Sequence, residues 1–385
     1  MEIKCNRRLL GKVLLFAVIL LVSGLGVFGC AGTGAIPRGW SGAVVADGTL
    51  FLGSMEGKLV ALDISSQSRL WPDVLLETEP TGGGFGCAPA STTVAIYGSP
   101  VVAGELVYVG GYNGKIYAFS SGSGALRWVY PRQGKRQPIV GGIVVSQGRV
   151  YFGCSDGKVY VLDAETGDEE WDFTTGDKIW STPVIDGDTL FIASFDKKLY
   201  AINAMTGKGK WEFDTGEVDT GGAIASTPLV YNDTVYIGSF DRHIYAVSAT
   251  DGSLIWKSEV EAGSWFWAKP VVYNNTIYAG NLDGKVYILN AGTGDEVVDA
   301  IDLGSPISSW PVLVDSTIII ASEDGRIRAI DTSNNQKSEF KNLGEKINAP
   351  LSASDGIVYI HTSEGELHAL NAQTGAILWS IPLSS

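Results

Sequence analysis

The chain has 385 residues, 45% of them hydrophobic and 18% charged, with 49 glycines and four cysteines. So apolar a composition excludes a disordered chain, and glycine beside abundant Val, Ile, Tyr and Trp points to short strands joined by tight turns. The formal net charge of −14 sets the surface against nucleic acid and anionic lipid headgroups, and the longest basic cluster, Arg132 to Arg136, holds three charges in one loop.

The first segment reads as an address. Lys4, Arg7, Arg8 and Lys12 precede an uncharged run from Val13 to Gly29, the pattern of a secretory signal peptide over residues 1–29. The run ends Val27-Phe28-Gly29-Cys30, which looks like a bacterial lipobox with Cys30 as the lipidated residue, although Phe28 is bulky for the middle position. Retention as an uncleaved anchor and ordinary cleavage are the alternatives, and all three put the folded part on the extracytoplasmic side. Loss of residues 1–29 removes four basic residues against one acid, Glu2, and takes the net charge from −14 to −17. Residues 30–39 form a short tether, which spans about 30 Å fully extended and keeps the folded body close to the membrane. With Cys5 removed and Cys30 acylated, Cys87 and Cys154 remain as a candidate disulfide pair.

From residue 40 to 385 one unit recurs. It holds an apolar strand, a second strand such as Val150-Tyr151-Phe152, an acidic turn, a third strand such as Lys158 to Leu162, a Thr-Gly turn and a tryptophan. The acidic turn appears at Glu56-Gly57, Asn113-Gly114, Asp156-Gly157, Asp196-Lys197, Asp241-Arg242, Asp283-Gly284, Asp324-Gly325 and Glu364-Gly365. That spacing, about 40–45 residues after a longer first interval, counts eight repeats. Acid or Asn before Gly suits a two-residue hairpin with positive φ, so Lys197 and Arg242 predict a strained or altered turn. Alternating apolar and polar residues predict strands, and a four-stranded sheet of this length cannot bury both faces alone. The expected fold is all-β, an eight-bladed β-propeller of four-stranded antiparallel blades that closes by packing blade one on blade eight.

The recurring tryptophans Trp71, Trp128, Trp171, Trp211, Trp256 and Trp379 are expected to wedge between blades. Repeat six has Val298 there and repeat seven has Glu339 beside Phe340, which predicts differently packed junctions. The long first interval places an insertion at about residues 72–97, and the segment from Ala35 to Ser41 could add an edge strand.

The stretch Gly157 to Trp171, GKVYVLDAETGDEEW, resembles the pyrroloquinoline-quinone (PQQ) type of propeller repeat, as do Gly114 to Trp128 and Asp196 to Trp211. Among proteins with such repeats, an eight-bladed lipoprotein without further domains is most similar to the BamB family. That resemblance implies a non-catalytic envelope scaffold of the outer-membrane β-barrel assembly machinery. Its partner would be a membrane β-barrel or another envelope protein, engaged through loops or by adding strands to an exposed edge. No contact residue is carried over.

Quinone-dependent dehydrogenases share the repeat, but they stack the cofactor on adjacent cysteines, and this chain has none. No cofactor, metal site or catalytic residue is expected, since His243, His361 and His368 show no ligand spacing. His368 takes the place of the third-strand tyrosines and is expected to be a strand residue with a hydrogen-bond partner. His361 takes a small-residue position and could fill a gap. The turn acids are expected to serve the turns. Trp40, Trp180, Trp267 and Trp310 stand at the starts of first strands, where they could gather at one mouth of the channel. Lys269 would add a positive charge there. A ligand-binding or sensor propeller using this mouth is the second reading.

Overall fold

Each repeat forms its own antiparallel sheet, with strands hydrogen-bonded in sequence order. The protein is described here by a computed structural model covering residues 39–76, 94–218 and 221–383. The signal segment, Cys30 and Cys87 lie outside the described residues, as does residue 35–38 of the candidate edge strand; Gly39 to Ser41 are not in a strand. Blade 3 is representative, with strands Ile143–Ser146, Arg149–Gly153, Lys158–Asp163 and Glu169–Thr174. Seven sheets have four strands. In blade 1 the outer strand is split into Ser68–Arg69 and Val74–Leu75, both paired to Lys58–Asp63. The break marks the start of the insertion, and its two ends are pinned at one place: Leu76 N–H donates to the carbonyl of Gly57, and the Val94 carbonyl lies against Gly57.

The hydrophobic core is divided into eight clusters, and each joins two neighbouring blades. One of them unites Leu50, Leu52 and Val60 of blade 1 with Tyr359, Leu367 and Ala369 of blade 8, which closes the ring as expected. Because each blade is covered on both sides, the middle strands do not alternate: Val159 to Leu162 are all buried. Each such side chain contributes about 1.5–3 kcal/mol. Polar residues dominate the outer strand, where Glu169, Glu170 and Asp172 guard the edge.

The wedge tryptophans sit where expected. Trp128 Nε1 and Tyr108 Oη both donate to the carbonyl of Ala164 in the next blade, each at 3.0 Å. Trp256 and Tyr236 do the same to Ala291, at 2.9 and 3.0 Å. The ring lies on the glycine of the next Thr-Gly turn, so closely that a Cβ on Gly167 would come 2.6 Å from Trp128. Blade 6 keeps Tyr278, which donates to Asn335 Oδ1 at 2.8 Å, but Val298 occupies the tryptophan register. In blade 7 that register belongs to Ser338, opposite Ala329, and Phe340 reaches Gly375 of blade 8 instead. The two junctions are thus packed differently, as the missing tryptophans predict.

The acidic hairpins differ from expectation. Gly157 N–H donates to the Cys154 carbonyl and Cys154 N–H to that of Lys158, a three-residue loop whose last residue alone needs positive φ. Lys197 and Arg242 keep that conformation, at φ 75° and 76° against 82° for Gly157. The turn type therefore survives and the side chain carries the strain. Two-residue turns with positive φ at both positions occur between first and second strands, as at Asn232-Asp233 and Asn274-Asn275.

Candidate functional site

In a four-stranded meander the second hairpin and the connection to the next blade share one face. On that face the residue entering each first strand reaches the channel. Trp40, Tyr97, Trp180 and Trp267 occupy this upper position; two residues further on, a lower tier carries Ser99, Thr182, Thr227 and Trp310. Together they line a cavity of about 720 Å³, counted to its open mouth. The four predicted tryptophans do meet in one cavity, with Trp310 deeper than the rest.

Threonine side chains stitch the lower tier. Gly142 N–H donates to Thr182 Oγ1 at 2.8 Å and Thr182 N–H to Thr227 Oγ1 at 3.2 Å, linking blades 3, 4 and 5. Lys269 has the register of Thr182 and Trp310 but is not among the residues lining the cavity. It is half-buried, desolvation lowers its pKa, and among the described residues it has no ion pair.

An outer ring of aromatics escaped the sequence reading. Tyr112, Phe195 and Phe240 follow the second strands in Gly-Tyr-Asn and Ser-Phe-Asp turns, where Ser155 stands in blade 3. Phe195 lies edge-on to Trp180 with centroids 4.7 Å apart, and Phe240 stacks on Trp265 at 4.5 Å. Tyr97 packs between Trp40 and Tyr112 at 4.4 and 5.3 Å. The signal was an aromatic beside the turn acid, hidden because that position is variable among the repeats. Trp180 is oriented by Ser155 Oγ, 3.1 Å from its Nε1, and Lys178 Nζ lies 4.9 Å from its ring centre. Trp265 is 48% exposed and Tyr112 41%, so the mouth offers aromatic surface to solvent.

The turn acids are occupied structurally. Asp156 Oδ2 accepts from Tyr160 at 2.8 Å and Asp196 Oδ2 from Tyr200 at 2.6 Å, while each Oδ1 takes the backbone N–H two residues on. Burial, then the neighbouring carboxylate, raises these phenols above the ordinary tyrosine range. Glu323 at the channel is bonded by Ser308, Asn348 and Lys346. Cys154 is a free buried thiol that donates to the Gln137 carbonyl, and burial pushes it up to about 12. His368 Nδ1 is 2.7 Å from Ser380 Oγ, the partner expected of it. His361 does fill a gap. Elsewhere a large residue of the next blade, such as Ile179, packs on Gly153; at ring closure the sizes are exchanged, with Gly39 and His361 in those positions. His361 Nδ1 lies 2.9 Å from the Ser41 carbonyl.

Fold and repeat define the class, an eight-bladed propeller of PQQ-type repeats with an aromatic-lined mouth. The model of the family described as "Outer membrane protein assembly factor BamB" matches residues 31–175, 132–339 and 324–385, and the chain belongs to that family. It is similar to proteins of that name from Moranella endobia, 34% identical over 80 residues, and Yersinia pestis, 37% identical over 71 residues. Those alignments cover 20% and 18% of either chain, so the match spans about a fifth of the curated relatives' length. Among solved structures, BamB from Moraxella catarrhalis superposes with a TM-score of 0.69 at 18% identity, covering 86% of this chain and 93% of that one. The computationally designed Ika8 protein gives 0.70 at the same identity, covering 86% and 96%. These two likenesses concern the fold.

Proposed function

We propose that the protein is a non-catalytic envelope scaffold, held to a membrane through lipidated Cys30, that binds a partner of the outer-membrane β-barrel assembly machinery. The carrying observation is the family match across the whole propeller. The exposed aromatics Tyr112 and Trp265 support the mouth face as the contact surface, because rigid aromatic side chains dominate binding hot spots. The family match supports an outer membrane as the compartment, where the organism has one, and a β-barrel component as the partner.

The test is affinity capture of the full chain from detergent-solubilised membranes after mild cross-linking. An integral β-barrel protein should co-purify, and Trp265→Ala with Tyr112→Ala should reduce its recovery at least fivefold while the chain stays folded. Capture of no β-barrel protein from an organism with an outer membrane would sink the assembly role. Mass spectrometry of the N-terminus tests the anchor, with diacylglycerol on Cys30 as the expected result.

The cavity bounded by Trp40, Trp180, Trp267 and Trp310 supports a second reading, a ligand-binding mouth. Titration with short peptides and oligosaccharides should then quench tryptophan fluorescence, and the quench should fail in Trp180→Ala. Fluorescence that stays constant across both ligand sets would reject this reading.

A further inference from the structure

In blades 2 to 6 the turn residue and the third-strand tyrosine form a pair: Asn113–Tyr117, Asp156–Tyr160, Asp196–Tyr200, Asp241–Tyr245 and Asp283–Tyr287. Blade 8 abandons it. His368 stands opposite Ile360 as Tyr160 stands opposite Phe152, and it is only 6% exposed. Its Nδ1 meets Ser380 Oγ, but its Nε2 is buried without any hydrogen-bond partner. Leaving such an atom unsatisfied costs about 1–3 kcal/mol.

Two carboxylates converge on that nitrogen. Glu366 lies two residues earlier on the same strand, hence on the same side, with Oε2 3.7 Å from Nε2. Glu345 comes from the loop that leads from blade 7 into blade 8, its Oε2 held by Thr362 Oγ1 at 2.5 Å. One ligand atom from each residue lies within 4.8 Å of the other two. Among the described residues neither glutamate pairs with Lys or Arg. Lys346, next in sequence to Glu345, bonds Glu323 at 2.8 Å instead.

We propose that Glu345, Glu366 and His368 form a binding site for a divalent transition-metal cation of the Zn²⁺ kind. A dication satisfies the lone imidazole nitrogen and neutralises two adjacent carboxylates at once. With Nε2 on the metal, Nδ1–H would donate to Ser380 Oγ, 2.7 Å away, the kind of outer-shell bond that orients a histidine ligand. One nitrogen with carboxylate oxygens suits Zn²⁺ over Mg²⁺ or Ca²⁺, which prefer all-oxygen sites. Tetrahedral ligands at about 2.0–2.1 Å stand about 3.4 Å apart, so the three groups need only small side-chain rotations. The fourth position falls to water on the side of Glu366, whose side chain is 41% exposed. The ion would tie the blade 7–8 connection to the third strand of blade 8, beside the junctions that lack a wedge tryptophan.

The full chain in detergent, stripped with EDTA and dialysed against Zn²⁺ in excess Mg²⁺, should retain one zinc. Co²⁺ should give the visible absorption of a low-coordinate nitrogen–oxygen site. His368→Gln should abolish the specific equivalent, Glu366→Gln should weaken it at least tenfold, and circular dichroism should report both variants folded. A long-range proton–nitrogen spectrum of the unmodified chain needs no substitution: Zn²⁺ should shift one Nε2 among three histidines. Wild-type protein that keeps no zinc, equal retention by His368→Gln, or histidine resonances unmoved by Zn²⁺ would each overturn the proposal. Because these readouts ignore the partner, they fail or succeed independently of the scaffold role.

Discussion

The junction between blades 5 and 6 and the junction between blades 7 and 8 do the same job with different chemistry. In the first, Tyr236 and Trp256 donate to one carbonyl, that of Ala291, and the indole lies on Gly294. In the second, Ile319 and Phe340 face blade 8 instead, and neither side chain can donate, so these two join it through apolar contact alone. Both junctions are nevertheless built on a shared cluster of buried side chains. Closure of the ring therefore rests on burial. The tyrosine–tryptophan clamp adds a defined spacing, since a directional bond and a ring seated on glycine admit one separation where apolar packing admits several.

Removing the clamp should produce the largest effect. Trp256→Ala deletes a buried ring and its bond and should cost about 3–5 kcal/mol in urea unfolding, whereas half-buried Phe340→Ala should cost less than half as much. Equal losses would show that the two junctions are energetically alike. The next effect belongs to the closing junction of blades 8 and 1. Burial holds His361 at about 4, below its ordinary 6.5. The unfolded chain then takes up the proton first, so the stability contributed by the neutral ring is complete above pH 6.5 and is lost as pH falls toward 4. The loss is about 3 kcal/mol, and His361→Gln should flatten the pH profile of unfolding by that amount. A profile unchanged by the substitution would refute the role of the ring at closure.

Smaller substitutions sharpen the same contrast. Tyr236→Phe removes one of two donors to Ala291 and should cost about 1 kcal/mol, measured by the same unfolding curves. Because Trp256 still satisfies the carbonyl, a loss above about 2 kcal/mol would mean that the two bonds act as a unit. Lys197→Gly should change least, a gain of about 0.5–1 kcal/mol, by releasing a side chain from left-handed backbone. A loss would show that the lysine side chain contributes more than its turn conformation costs.

Much of the mouth was visible in the chain because strand starts are marked by the repeat. Trp40, Trp180 and Trp267 share one position in the repeat and Trp310 stands two residues further on, so all four fall on the same side of their strands and reach one face. Tyr112, Phe195 and Phe240 were hidden because they belong to the hairpins and meet the tryptophans only across blades. Lys269 shares the register of the lining residues without bounding this cavity, since a long flexible side chain need not follow its neighbours. The two-residue hairpin was misjudged because acid-Gly pairs serve two turn types, and the backbone bonds at Cys154 distinguish them.

What the sequence by itself determined is whatever repeats. Eight copies, their strand phase, the wedge tryptophans and the turn acids all follow from periodicity, since each blade meets the same physical problem with nearly the same residues. Only the tertiary structure decided where the repeats depart from one another. The exchange of Gly39 and His361 at closure links the two ends of the propeller, and the meeting of Glu345 with Glu366 and His368 joins a connecting loop to a strand. Neither can be read along the chain, because such contacts depend on distances between segments that only the closed ring defines.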